Sequence, residues 1–162
     1  MRCGLLGKTL GHSYSPQIHA QLGDYSYELF EKQPEELENF LRHGEFDALN
    51  VTIPYKKAVL PYCAVLSDAV KAIGSANTLV RQPDGTLFAD NTDAFGFSCI
   101  ADECGVNIAG KKALVFGSGG ASVTAQYVLK TRGAREVLVI SRTGEHNYEN
   151  LAEHADAEIL VN

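Results

Sequence analysis

Residues 113–140 admit few folds. Ala113-Leu114-Val115-Phe116 is a short apolar run that stops at Gly117-Ser118-Gly119-Gly120-Ala121-Ser122. A helical stretch follows from Ala121 to about Thr131, Gly133 closes it, and 136–140 is a second apolar run. Strand, glycine turn, helix, strand is the context in which a glycine fingerprint has structural meaning. Gly117 is expected to make the tight turn, and Gly119 to let a pyrophosphate approach the backbone. Ser122 stands where a third glycine is common, and a small residue suffices there for helix packing. The second strand ends Ile140-Ser141-Arg142-Thr143, with no carboxylate before Glu145. A carboxylate there would accept from ribose hydroxyls; an arginine flanked by hydroxyls suits a 2′-phosphate. The segment therefore predicts a nucleotide site that prefers NADP to NAD.

The first hundred residues carry a different pattern. Asn50-Val51-Thr52-Ile53-Pro54-Tyr55-Lys56 reads as the end of a buried strand, 48–53, breaking at Pro54 into a helix over 54–62. Proline is well placed at a helix start. Asn50, Thr52 and Lys56 are thereby expected near the carboxyl edge of a sheet, where open α/β sheets bind ligands. Asp90-Asn91-Thr92-Asp93-Ala94-Phe95-Gly96 is a second polar cluster at a strand-to-helix switch. One switch brings an amine and the other a carboxylate, and both are expected to serve one small molecule. A lone lysine one turn into a helix is ordinarily a solvated charge; the second cluster is what shifts the reading.

Near the start, 2–7 reads as strand one. Gly11-His12-Ser13-Tyr14-Ser15-Pro16 then leads into a helix ending near Leu22. Ser15 is the expected N-cap, with Pro16 at the first helical position. Ser13 is not needed for capping. Two hydroxyls at a helix N-terminus suit a carboxylate. Between these landmarks the pattern predicts a strand over 25–30, a helix from Pro34 to about Arg42, and a short helix over 67–73 capped by Ser67. A hairpin is expected around Pro83-Asp84-Gly85, then a helix over 92–104 ended by Gly105, a helical stretch over 148–154 and a strand from 158.

Composition narrows the partners. The chain has 162 residues and a formal net charge of -6, with 45% hydrophobic and 21% charged residues. The acidic balance argues against nucleic acid and anionic membranes as partners. No apolar run approaches the ~20 residues of a membrane span. The four cysteines, Cys3, Cys63, Cys99 and Cys104, form no CxxC pair. That usage suits free thiols in a cytoplasmic protein. No metal site is expected: His12 and His19 read as structural or hydrogen-bonding groups.

Taken together, these motifs resemble those of the shikimate dehydrogenases, in order and in spacing, from Gly4 essentially to Asn162. Besides the stretches quoted above, Ala76-Asn77-Thr78 and Ser141-Arg142-Thr143 match. The resemblance implies an α/β protein. Its N-terminal part would be a three-layer substrate domain with a mostly parallel sheet, residues 1–105. A partial Rossmann-like NADP-binding domain, residues 106–162, would follow. It implies NADP-dependent, reversible reduction of 3-dehydroshikimate to shikimate. Carried over by position, Lys56 and Asp93 are the catalytic pair. Ser13 and Ser15 bind the substrate carboxylate, and Thr52, Asn77, Asn50 and Asn91 lie about the ring hydroxyls. Gly117, Ser118, Gly119, Gly120 and Ala121 hold pyrophosphate, and Ser141, Arg142 and Thr143 the 2′-phosphate. The chain departs from the family pattern at Ser141, usually Asn, at His146 and Val123, where basic residues are common, and at Tyr55, often His. A quinate-type dehydrogenase and an inactive shikimate-binding piece are the alternative readings.

A dinucleotide fold has two βαβαβ halves, and 111–162 supplies one. The chain is therefore expected to be an incomplete form of a longer enzyme, inactive alone and prone to self-association through its unfinished sheet.

Overall fold

The computed structural model describes all 162 residues, which form two compact units, Met1–Thr92 and Asp93–Asn162. The first is built on a six-stranded sheet. Strand β1 (Arg2–Gly7) runs parallel to β2 (Ser26–Glu31) on one side and to β3 (Ala48–Val51) on the other. Beyond β3 the antiparallel hairpin of β5 (Thr78–Arg81) and β6 (Leu87–Asp90) continues the sheet. The two-residue β4 (Val65–Leu66) adds parallel to β6. The order is β2-β1-β3-β5-β6-β4. Gly4 lets β1 lie in this sheet, because a Cβ there would run into the Glu28 carbonyl and the Phe30 ring.

Helices α1 (Ser15–His19), α2 (Leu37–His43) and α3 (Asp68–Ile73) complete the unit. Leu6, Leu41, Leu49, Val59, Val70 and Leu79 are fully buried in one cluster. Each such side chain stabilises the fold by roughly 2 kcal/mol relative to exposure. The α3 helix starts as its sequence predicts: Ser67 Oγ accepts from Val70 N–H at 3.2 Å, and Gly74 ends it in the left-handed region.

Three local expectations are corrected. Ser15 is not the N-cap but the first residue of α1; the cap position is Tyr14, with no side-chain cap. The Ser15 N–H is instead taken by Ser13 Oγ at 3.2 Å. No α-helix follows Pro54. The Ile53–Pro54 bond is cis, and the chain passes through hydrogen-bonded turns, Tyr55 N–H to Thr52 O and Val59 N–H to Tyr55 O, into a single 3₁₀ turn, Leu60–Tyr62. The expected helix over 148–154 shrinks to a 3₁₀ turn, Leu151–His154. The residues before it form a loop stapled by Asn150, which accepts from Asn147 N–H and donates to the Glu145 carbonyl.

In the second unit, β7 (Lys112–Phe116) lies between β8 (Glu136–Ile140) and β9 (Ile159–Val161), all parallel. Helix α5 (Gly120–Thr131) joins β7 to β8. Helix α4 (Thr92–Glu103) contributes Phe97 and Ala101 to the same core as Ile108, Val115, Leu129 and Ile159. Arg132 fastens α5 to α4 through the Ser98 carbonyl at 3.0 Å and the Asp102 carboxylate. The contact division thus falls at the start of α4, whereas the domain division read from the sequence, at 105–106, falls just past its end. Lys112 reaches Asp156 at 2.7 Å and Glu136 at 3.5 Å, binding the edges of the small sheet together. No helix is long and apolar enough to cross a membrane.

Candidate active site

The polar groups of the first unit gather where parallel strands end. Val51 pairs with Leu6, so Thr52 emerges beside Gly7 at the carboxyl ends of β3 and β1, its N–H held by Leu6 O at 2.9 Å. With Lys8, Thr9, Ile53 and Pro54 it lines an open cleft of about 590 Å³. The expected sheet-edge location is therefore met. Lys56 follows within the turns and is half-buried, its carbonyl accepting from Ala76 N–H at 2.8 Å.

Ser13 and Ser15 form one hydrogen-bonded pair, and Tyr27 and Asn50 another. Ser13 Oγ donates to Ser15 Oγ at 3.1 Å. Tyr27 Oη donates to Asn50 Oδ1 at 2.7 Å. Tyr27 pairs with Cys3 and Asn50 with Leu5, so the phenol crosses over β1 to reach β3. Burial pushes the Tyr27 hydroxyl up to about 12, so it remains a donor near neutrality. His19 stacks on the Tyr27 ring at 3.8 Å, and His19 Nδ1 lies 2.7 Å from the Tyr25 hydroxyl.

A second network surrounds Asn77. Its Oδ1 accepts from Thr78 Oγ1 at 3.0 Å, Thr92 N–H at 2.9 Å and Thr92 Oγ1 at 3.2 Å. The amide is thereby locked in one orientation. Asp93 follows Thr92 as the second residue of α4 and is exposed. Asn91 departs from its expected place about the substrate ring. It is 3% exposed, and its Nδ2 donates to Ser75 O at 2.9 Å. Its Oδ1 is buried without a partner. Asn91 braces the strand-to-helix switch from inside.

The glycine turn of the second unit has the geometry its sequence predicts. Gly117 has φ 97°, in the left-handed region, and its N–H donates to Ile140 O at 2.8 Å. A Cβ on Gly117, Gly119 or Gly120 would meet nothing within 4 Å, so the space before the turn is open. Gly119 is the N-cap of α5 and offers no side chain to its first N–H groups. Exposed N–H groups at the start of a helix suit phosphate. Ser122 is buried against the turn and accepts from Gln126 Nε2 at 3.2 Å. Ser141 is half-buried, and Arg142 and Thr143 are exposed at the end of β8. The donor set fits a dinucleotide diphosphate with a further phosphate at Arg142.

Sequence reasoning missed Tyr27, Thr78 and Thr92, whereas His19 is the hydrogen-bonding group it was read as. Alternation in 25–30 marked a strand, but no local signal tells which tyrosine crosses to another strand. Thr78 and Thr92 were quoted only as neighbours of the asparagines they hold.

A unit with braced hydroxyl and amide groups at a sheet edge, followed by a unit with a dinucleotide-type glycine turn, defines a class: two-part α/β proteins that handle a small molecule and a nucleotide. Residues 5–79 match the family model described as the shikimate dehydrogenase substrate binding domain. Among curated relatives, the NADP(+) shikimate dehydrogenase of Halothermothrix orenii is 41% identical over 149 residues, 86% of this chain and 51% of the relative. That of Clostridium beijerinckii is 33% identical, over 98% of this chain and 66% of the relative. A solved structure of shikimate 5-dehydrogenase from Thermus thermophilus, in complex with NADP(H) and shikimate, superposes with a TM-score of 0.79. Its identity is 34%, over 98% of this chain and 62% of that one. The chain belongs to the shikimate dehydrogenase family. It spans about half the length of the curated relatives it matches.

Proposed function

We propose that this chain serves the NADP-dependent, reversible reduction of 3-dehydroshikimate to shikimate. The observation that carries the reading is the braced cluster of the first unit. Ser13, Ser15, Asn50 and Asn77 are held by partners in the fold, in a chain whose relatives are named for this reaction. Ser13 and Ser15 hydroxyls donate to the substrate carboxylate, and Thr52, Asn50 and Asn77 address the ring oxygens. NADPH, when bound, would supply the hydride that reduces the ketone and would leave as NADP+. Negative charge then develops on the substrate oxygen, and the Lys56 ammonium stabilises and protonates it. In reverse, the Lys56 amine takes that proton. Asp93 orients the lysine and the substrate hydroxyl. Ser118, Gly119, Gly120 and Ala121 hold the diphosphate by backbone N–H groups, and Ser141, Arg142 and Thr143 take the 2′-phosphate. The functional division follows 1–105 and 106–162, with the start of α4 serving the substrate side. Four free cysteines and a biosynthetic role suit the reducing cytoplasm. The β9 edge pairs with no strand of this chain, and Leu160 on it is 67% exposed. Weak self-association through that edge is expected in light scattering.

Shikimate-dependent reduction of NADP, followed by absorbance with this chain and with any longer natural form, tests the activity. Turnover with shikimate and NADP is expected of a longer natural form, and none of the 162-residue chain alone; a longer form that turns over a different polyol acid and ignores shikimate overturns the reading. A quinate-type activity is the second reading, since quinate dehydrogenase from Corynebacterium glutamicum, in complex with NAD, superposes with a TM-score of 0.78 at 26% identity. A quinate arm with NAD in the same assay separates the two.

A further inference from the structure

We propose that Tyr27 is a positioning residue of the substrate site: it fixes the Asn50 carboxamide. The proposal rests on the shikimate-site reading and adds to it a residue outside the family's motif stretches. The direction of the bridge follows from its acceptor: an amide oxygen only accepts, so the phenol's own proton goes to Asn50 Oδ1, 2.7 Å away. The carbonyl side of the amide is thereby turned toward β2, which leaves its Nδ2 side to donate to solvent or a ligand oxygen. Without the phenol, the carboxamide would present either end.

The ring itself is held in place: His19 stacks on it with planes 13° apart, and His19 is fixed by the Tyr25 hydroxyl at 2.7 Å. The expected consequence is selectivity for acids that also carry a ring oxygen within reach of Asn50.

The test is a double-mutant cycle in shikimate binding, by calorimetry on the 162-residue chain: wild type, Tyr27→Phe, Asn50→Ala and the double variant. Phenylalanine keeps the stacked ring and removes only the hydroxyl. Each single change is expected to weaken binding about tenfold, the scale of one lost hydrogen bond with its partner left behind. The double variant is expected to bind no worse than Asn50→Ala alone. Wild-type affinity in Tyr27→Phe, or losses that multiply in the double variant, overturns the bridge. A wild type that binds no shikimate counts against the site reading instead. The bridge is then read without ligand, from the Asn50 side-chain amide signals in heteronuclear NMR. Tyr27→Phe is expected to shift and broaden them, and unchanged signals overturn the proposal. If Tyr27→Phe fails to fold, the wild type decides: shikimate should move Tyr27 and Asn50 signals together, and movement of one alone overturns it.

Discussion

The two units prepare their sites by opposite means. In the first, side chains hold side chains: Tyr27 reaches Asn50 across an intervening strand, and Asn77 gathers Thr78 and Thr92 from two elements. In the second, the backbone does the work. Gly117 turns in the left-handed region, and the space before Gly119 and Gly120 is open. The difference teaches where each site is vulnerable. A site of anchored side chains fails by losing a partner, with the fold largely intact. A backbone site fails when the chain can no longer take its path, so binding and stability fall together.

Four substitutions sharpen that contrast, taken from the largest effect to the smallest. Lys56→Ala is expected to lower turnover in the shikimate assay by about 10²–10⁴-fold, the usual weight of general acid–base catalysis. Shikimate binding should change far less, because the serines and asparagines carry it. Near-normal turnover would remove Lys56 from the chemistry. Gly117→Val should cost roughly 1–2 kcal/mol for forcing a side chain into the left-handed region. A thermal melt and an NADP titration are expected to fall together; a stable variant that has lost only NADP would break the comparison. Arg142→Ala should weaken NADP about tenfold, the scale of a lost charge-assisted bond, and leave NAD unchanged. Equal losses for both nucleotides would place Arg142 away from the 2′-phosphate.

The smallest effect is a pH dependence of the second unit. Hydrogen bonding to Lys112 holds the Asp156 carboxyl below its ordinary range, and Asp156 raises the Lys112 ammonium above its own. For the carboxylate, lowered in the folded state, the stabilisation is present above the ordinary carboxylate range and lost as pH falls through the folded value. For the raised lysine, it is present below the ordinary lysine range and lost as pH rises through the folded value. Asp156→Asn should therefore lower the melting midpoint through the neutral range and converge on wild type in acid. The gap should be small, since Asp156 is largely exposed. A gap that persists below the carboxylate range would assign it to packing.

The legible parts of the molecule are those whose cause is local. The glycine turn, the Ser67 cap and the hairpin at Pro83–Gly85 each follow from a few adjacent residues, and each is found. The misreadings were local readings that longer-range or backbone features overrode. Ser15 looks like a cap until the helix is seen to start on it, with its N–H taken by Ser13. Pro54 looks like a helix start until its peptide bond is seen to be cis. Asn91 looks like a ligand contact because it stands in a polar run, yet its amide turns inward to Ser75. Motif spacing identified the residues of the candidate site but not their support, because Tyr27 and Asn50 meet only once β1 lies between them.

The measurement closest to the central claim is a calorimetric titration of shikimate into this chain, beside a Ser13→Ala, Ser15→Ala double variant. Saturable binding that the variant loses, with an unchanged melting temperature, is the expected result. No binding by the wild type, or equal binding by both proteins, would contradict a shikimate site built on these hydroxyls.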